Sequence, residues 1–377
     1  MKILFLSQGK KIDDHPGWND ALVKLKQEGY IKDFTNIPYL GYAKKHGWDA
    51  FYNKVIELSK NEGFDVVYFH YFHKKGKPSP KDCINSLKKL PNAPIVITSA
   101  GDPFSDNWML PDYPMDFKEA SILADITFST QMGKAADKMN KWGAKNIVYT
   151  PNSMCQVRFE AHQINYEQHN FDFDVVFVGS NNSARNPFSR NLIAASKRKK
   201  LVMALYEKFG NRLGLFGNGW DLPCAQGFAP FNKQQETFQK GRIIVGGNPY
   251  SYSDYYSSNR IFFEISSGIP TVELRVPRLD KVLRNEDHCY FENSIEEIIN
   301  RCEQLLKEDP KTLYSKAAKA AKYIEEKHTQ YHRIKFKIDT VKRYIANNNK
   351  LDVQFPFFLP EVDLDEEIKY ATRVSKK

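Results

Sequence analysis

The chain reads as an α/β protein of two doubly wound halves facing across a cleft, and three observations in its 377 residues predict this. Apolar runs of strand length alternate with amphipathic stretches of helical period, twice over, which specifies parallel sheets covered by helices on both faces. A composition of 41% hydrophobic and 14% aromatic residues supplies burial for two cores and excludes a fibrous or largely disordered chain. Between the two series lies a polar, aperiodic stretch over 154–174, which reads as a linker.

In the first half the strand-like runs fall at 3–6, 66–71, 95–98, 126–129 and 147–149, with helical patterns at 19–28, 50–60 and 132–142. The second series opens with DVVFVGS at Asp174 and continues with RLGLFGNGW at Arg212, RIIVGG at Arg242 and IPTVELR at Ile269. Helical patterns at 197–209, 260–267, 295–306 and 312–327 lie between and after these runs. The expected organisation is a first domain over 1–155, a second over 172–335, and a helix with a tail over 336–377 that packs back on the first. Beyond residue 347, FPFFLP and an acidic run carry no period, which suits a surface strap or a partner-binding tail.

The formal charge of +10 points to an anionic partner such as nucleotide phosphates, nucleic acid or an anionic membrane face. All 14 arginines lie from Arg158 onward. Because arginine grips phosphate in a bidentate fork, this asymmetry places phosphate recognition in the second half. The five cysteines form no C-x-x-C pair, so neither a zinc site nor a disulfide frame is expected, and no metal ligands are assigned. No window approaches the roughly 18 apolar residues of a membrane span. The opening MKILFLSQGKKIDDHPGW reads as a first strand rather than a signal peptide, which predicts a cytoplasmic protein, with peripheral association at the inner membrane face compatible with its lysines.

Doubly wound sheets bind ligands beyond the carboxyl ends of their strands. Gly- and Ser-rich turns fall there at 7–9, 101–102, 179–183, 217–220 and 246–248. The densest constellation follows the last of these, in YYSSNRIFFEISSGIP. Ser258 and Asn259 open a helix on which Arg260 and Glu264 share a face. An arginine beside free helix N–H groups suits a diphosphate, and a carboxylate one turn later suits the two hydroxyls of a ribose. A plain i,i+4 salt bridge is the alternative reading of the same spacing.

On these residues the run from Asp174 to about Arg333 resembles the nucleotide-binding half of GT-B glycosyltransferases, in particular the spore-maturation-like branch of the group 1 enzymes. The matching pieces are DVVFVGS, LVMALYEKFGNRLGLFGNGW, SSNRIFFEISSGIPTVELRVPRLDKVL and EEKHTQYHR, with WGAKNIVYTPN closing the first half. The resemblance implies two Rossmann-like domains, a nucleotide-diphosphate sugar as donor, a UDP-sugar foremost, and an acceptor held by the first domain. It implies no obligatory cofactor or metal, because arginines and helix dipoles neutralise the leaving diphosphate. Carried over residue by residue, Glu264 takes the ribose hydroxyls and Arg260 the diphosphate. Gly179 and Ser180 approach the sugar or phosphate, Arg185 and Arg190 reach the diphosphate, and Gly217, Asn218, Gly219 and Trp220 border the nucleotide. The following run, Lys197 to Lys200, reads as a solvated helix face. One departure concerns stereochemistry: the glutamate that retaining enzymes often carry eight residues before the ribose glutamate is Tyr256 here.

An inverting reaction needs a base from the first domain. Asp102, after the strand-like PIVITSAG, is the leading candidate and Asp106 the second, against the reading of Asp102 as a turn residue before Pro103. His15, in the first Gly-containing loop, is placed where an acceptor is met. GDPFSDNW also resembles the corresponding loop of phage DNA beta-glucosyltransferases, whose Arg-then-Glu pattern is similar. The acceptor is therefore expected to be a surface glycan or lipid-linked saccharide, with a hydroxymethylated base in DNA as the alternative. A non-catalytic sugar-nucleotide or glycan-binding protein is the reading from outside enzymology.

Overall fold

The structure is a computed structural model, and it describes residues 1–72, 78–102, 113–181, 188, 192–248, 250–351 and 355–373. Two α/β layers form. The first sheet takes β1 (Lys2–Ser7), β2 (Asp33–Pro38), β3 (Val66–Phe69), β4 (Ile95–Ala100), β5 (Ile126–Ser129) and β6 (Ile147–Tyr149). The second takes β7 (Phe173–Val178), β8 (Leu213–Phe216), β9 (Ala225–Gly227), β10 (Gly241–Val245), β11 (Thr271–Leu274) and β12 (Tyr290–Glu292). β13 (Thr372–Arg373) returns to the first sheet and pairs antiparallel with β6.

The strand orders are β13-β6-β5-β4-β3-β1-β2 and β12-β11-β10-β7-β8-β9. Apart from β13, every pairing in both sheets is parallel. In the second sheet the direction of winding reverses between β7 and β10, so the loops after those two strands diverge and leave a crevice for a ligand. The first sheet reverses between β1 and β3.

β2, β9, β12 and β13 were not among the expected strands. β2 is the outermost strand, and only Ile37 of its DFTNIP is buried, so it lacks the apolar run that marks a central strand. The stretch 155–172 contains neither helix nor strand.

The helix Gln330–Ala346 packs along Pro16–Gln27 of the first half. Its Arg333, 1% exposed, donates to the carbonyls of Pro151 (2.9 Å), Asn152 (3.2 Å) and Lys327 (3.0 Å), which pins the crossing between the halves. Its Lys337 donates to the Tyr68 hydroxyl at 2.6 Å and lies over the rings of Trp18, Tyr68, Tyr71 and Phe128. Phe355, Phe357 and Phe358 pack against Tyr149, so FPFFLP is core rather than free tail. The helix Leu364–Ala371 then brings Glu367 to the Tyr255 hydroxyl and, at 2.8 Å, to Arg278. Buried side chains of both halves form one continuous cluster, from Phe5 and Phe128 through Tyr149 to Val176 and Phe262.

Candidate active site

The site is built where β7, β8 and β10 end. Gly179 N–H donates to the Phe216 carbonyl (2.7 Å), Asn181 N–H to the Asn218 carbonyl (2.8 Å) and Trp220 Nε1 to the Gly179 carbonyl (2.6 Å). These bonds zip the turns after β7 and β8 together. Gly217 has φ +139°, and a Cβ there would collide with the Gly179 carbonyl, so a side chain is excluded by both conformation and space. Asn218 N–H reaches Ser180 Oγ at 3.3 Å, and the Asn181 side chain donates to the Gly219 carbonyl at 3.0 Å. Arg185 and Arg190 lie outside the described residues, as does Asp106.

Helix Asn259–Ser266 begins at Ser258, whose extended backbone starts the helix without a side-chain cap. The amides of its first turn therefore have no capping oxygen from Ser258, the condition under which a helix N-terminus receives an anion. From this turn Arg260 reaches toward Gly179, with its Nη1 3.4 Å from where a Cβ on that glycine would stand. Glu264, one turn on, is 1% exposed. Its pKa is raised by burial, against the pull of Arg260. The salt-bridge reading of this pair fails: among the described residues no ion pair joins Arg260 to Glu264, and the buried carboxylate oxygens of Glu264 meet no N–H or hydroxyl donor.

Arg198 departs from the solvated run in which the sequence reading put it. It lies on the stripe Ala194, Ala195, Leu201, Val202 and Leu205 that helix Leu192–Phe209 buries, and turns inward. Its Nη1 donates to the Ser180 carbonyl (3.2 Å) and its Nη2 to the Gly247 carbonyl (3.3 Å), tying the loops after β7 and β10 across the crevice. Burial and the charge of Arg260 lower its pKa to about 10. Lys197, Lys199 and Lys200 are exposed, as expected. The i, i+3, i+4 spacing was the signal that separated Arg198 from its neighbours.

From the opposite side comes Asp102, just after β4. Its Oδ1 accepts a 2.7 Å hydrogen bond from the Tyr256 hydroxyl. Asp102 keeps solvent access, yet the protein crowding the cleft raises its pKa above the usual carboxylate range, partly offset by the Tyr256 bond and by Arg260. Tyr71 backs this loop: its ring lies 3.4 Å from where a Cβ on Gly101 would stand. The Tyr71 hydroxyl donates to Asn152 Oδ1 (3.0 Å), and Asn152 Nδ2 donates to the Ser257 carbonyl (2.7 Å). The segment that carries Tyr256 is thus stitched to the first half on both sides, on the other by Tyr149 donating to the Tyr255 carbonyl at 3.0 Å.

His15 immediately precedes helix Pro16–Gln27, makes no side-chain capping bond to it, and is half-buried. Burial and nearby Arg158 lower its pKa. No hydrogen bond joins it to Asp102 among the described residues. Phe228, beyond β9, is 65% exposed. Among the described residues no group of three His, Cys, Asp or Glu side chains is placed to hold a metal ion, and no helix is long and apolar enough to cross a membrane.

Residues 191–339, the part of the chain that carries Arg198, Arg260 and Glu264, match the family model described as "Glycosyl transferase-like". No curated protein sequence matches the chain. Among solved structures, an alpha-glucosyltransferase in complex with UDP and a 13-mer DNA containing an HMU base is 12% identical, with 90% of this chain and 98% of that one covered at a TM-score of 0.58. Anabaena Alr3699/HepE in complex with UDP-glucose is 12% identical over 92% and 99% of the two chains, with a TM-score of 0.52. A T4 phage BGT mutant in complex with UDP-glucose is 14% identical over 90% and 99%, with a TM-score of 0.51. The chain has the GT-B glycosyltransferase fold, along nearly its whole length.

Proposed function

We propose that the protein transfers a sugar from a nucleotide-diphosphate sugar, a UDP-sugar foremost, to a hydroxyl of an acceptor held by the first half. The observation that carries this reading is the meeting of Asp102 with Tyr256 in the cleft that Arg260 enters from the other side. Glu264 accepts the ribose hydroxyls, while Arg260 and the first-turn amides of its helix receive the diphosphate. Asp102 takes the proton of the acceptor hydroxyl as its oxygen attacks the anomeric carbon. The bond from that carbon to the diphosphate breaks, and the charge left on the departing nucleotide is met by Arg260 and the helix N-terminus. A single displacement of this kind inverts the anomeric centre.

The acceptor is a surface glycan or lipid-linked saccharide, and the net charge of +10 suits work at an anionic membrane face. A second reading, transfer to a hydroxymethylated base in DNA, is favoured by the same charge and by the likeness to a glucosyltransferase held with DNA. Thermal stabilisation against UDP, GDP, CMP, ADP and TDP sugars, with and without magnesium, tests the donor site. A shift with one nucleotide class that Glu264→Ala abolishes supports it, and no shift with any of them in folded protein overturns it. Activity on hydroxymethylated DNA that falls steeply with salt selects the second acceptor.

A further inference from the structure

Glu264 has a buried companion that the sequence reading passed over. Glu273, on β11, is also 1% exposed. The two carboxyls converge on Gly246 at the end of β10, where an added Cβ would collide with Glu273 Oε1 and stand 2.8 Å from Glu264 Oε2. Two bare carboxylates in this space would repel each other, and neither oxygen of Glu264 would find a donor among the described residues. A proton on Glu273 removes both costs, because its O–H then donates to Glu264. The Asn248 N–H meanwhile donates to Glu273 Oε2 at 3.3 Å.

The surroundings decide which partner keeps the proton. Arg260, from the helix of Glu264, favours charge on both carboxyls, and Arg198 from helix Leu192–Phe209 favours it on Glu264. Cys289, just before β12, faces the pair as a neutral thiol, its pKa raised by burial and by both glutamates. Burial raises both carboxyls, and the Glu264 charge acts in the same direction on Glu273.

We propose that Glu264 and Glu273 form an acid pair with one shared proton, in which Glu273 is a positioning residue that stays protonated at neutral pH and fixes Glu264 as the charged acceptor of a vicinal diol. This rests on the donor-site reading above. The diol hydroxyls donate to the two Glu264 oxygens, and no covalent bond is made or broken. A second proton, taken up in acid, converts Glu264 from acceptor to acid and releases the diol.

Infrared spectroscopy of the ligand-free protein tests the pair without any donor. One carboxylic acid C=O band should persist near neutral pH in the wild type and be missing from Glu273→Gln; a wild type with carboxylate bands only overturns the proposal. Calorimetry with UDP-glucose, whose phosphates do not titrate near neutrality, gives the second readout. The pH at which acid weakens binding should rise by about one unit in Glu273→Leu, which removes the O–H donated to Glu264, and stay in place in Glu273→Gln, whose neutral amide keeps a donor there. An unmoved midpoint in folded Glu273→Leu overturns the pair. If Glu273→Gln does not fold, Glu264→Gln should let the Glu273 band titrate at lower pH, and a band that does not move overturns the pair equally. Failure of the wild type to bind UDP-glucose counts against the donor site, while the infrared band still decides the acid pair.

Discussion

The Tyr256 hydroxyl donates a 2.7 Å hydrogen bond to Asp102 across the cleft, so a tyrosine of the second half holds the carboxylate offered by the first. Asp102→Asn should lower kcat by about 10²–10⁴-fold while leaving donor affinity in place, measured by steady-state rates beside calorimetric binding. An equal loss of donor affinity would show that Asp102 serves the fold rather than the reaction.

Tyr256→Phe removes a bond that lowers the Asp102 pKa. The acid limb of the pH–rate profile, where Asp102 must lose its proton, should therefore move to higher pH, by about one unit for a charged hydrogen bond. A limb that stays where it was separates Asp102 from the rate-determining proton.

Arg260→Lys should weaken donor binding by about 10-fold or more, because an ammonium cannot present the planar fork that meets a diphosphate. Titration with the donor identified by thermal shift reads this directly. Full affinity in the lysine variant would reduce the role of Arg260 to that of a point charge.

Arg198→Ala should cost about 1–3 kcal/mol of stability and loosen donor binding, since the Ser180 and Gly247 carbonyls lose their shared donor. Lys199→Ala, on the exposed face of the same helix, should stay within about 0.5 kcal/mol. Equal effects in chemical denaturation would mean that Arg198 is one more solvated cation.

Lys337 is 2% exposed, and burial with nearby Arg333 lowers its pKa from 10.5 to about 7. Between those values the unfolded chain binds more protons than the folded one, so this residue makes stability rise with pH across that window. Below it the lysine is charged in both states and the full desolvation cost applies. Lys337→Met should therefore stabilise the protein by on the order of 1 kcal/mol at acid and neutral pH, and by progressively less toward pH 10.5. A gain that does not vary with pH in the denaturation midpoint would exclude a titrating lysine.

How much of this was legible in the sequence follows from the range of each signal. Strands β1, β3, β4 and β7 announce themselves because buried parallel strands are continuous apolar runs. β2, at the sheet edge with one buried residue, and β13, two residues long, carry no such run. Arg260 and Glu264 were readable because both sit on one helix, where spacing fixes their relation.

Determined by the sequence alone are the two doubly wound halves, the strand-end turns, and a helix that offers an arginine and a glutamate after a Gly-Gly-Asn turn, all set by local periodicity and turn chemistry. Only the tertiary structure decided that Tyr256 meets Asp102, 154 positions away, and that Arg198 leaves its basic run to join two loops. It decided likewise that Glu273 converges with Glu264 on Gly246. Each of these depends on where chain segments remote in sequence end in space, and on burial that turns ordinary side chains into costly groups needing one particular partner.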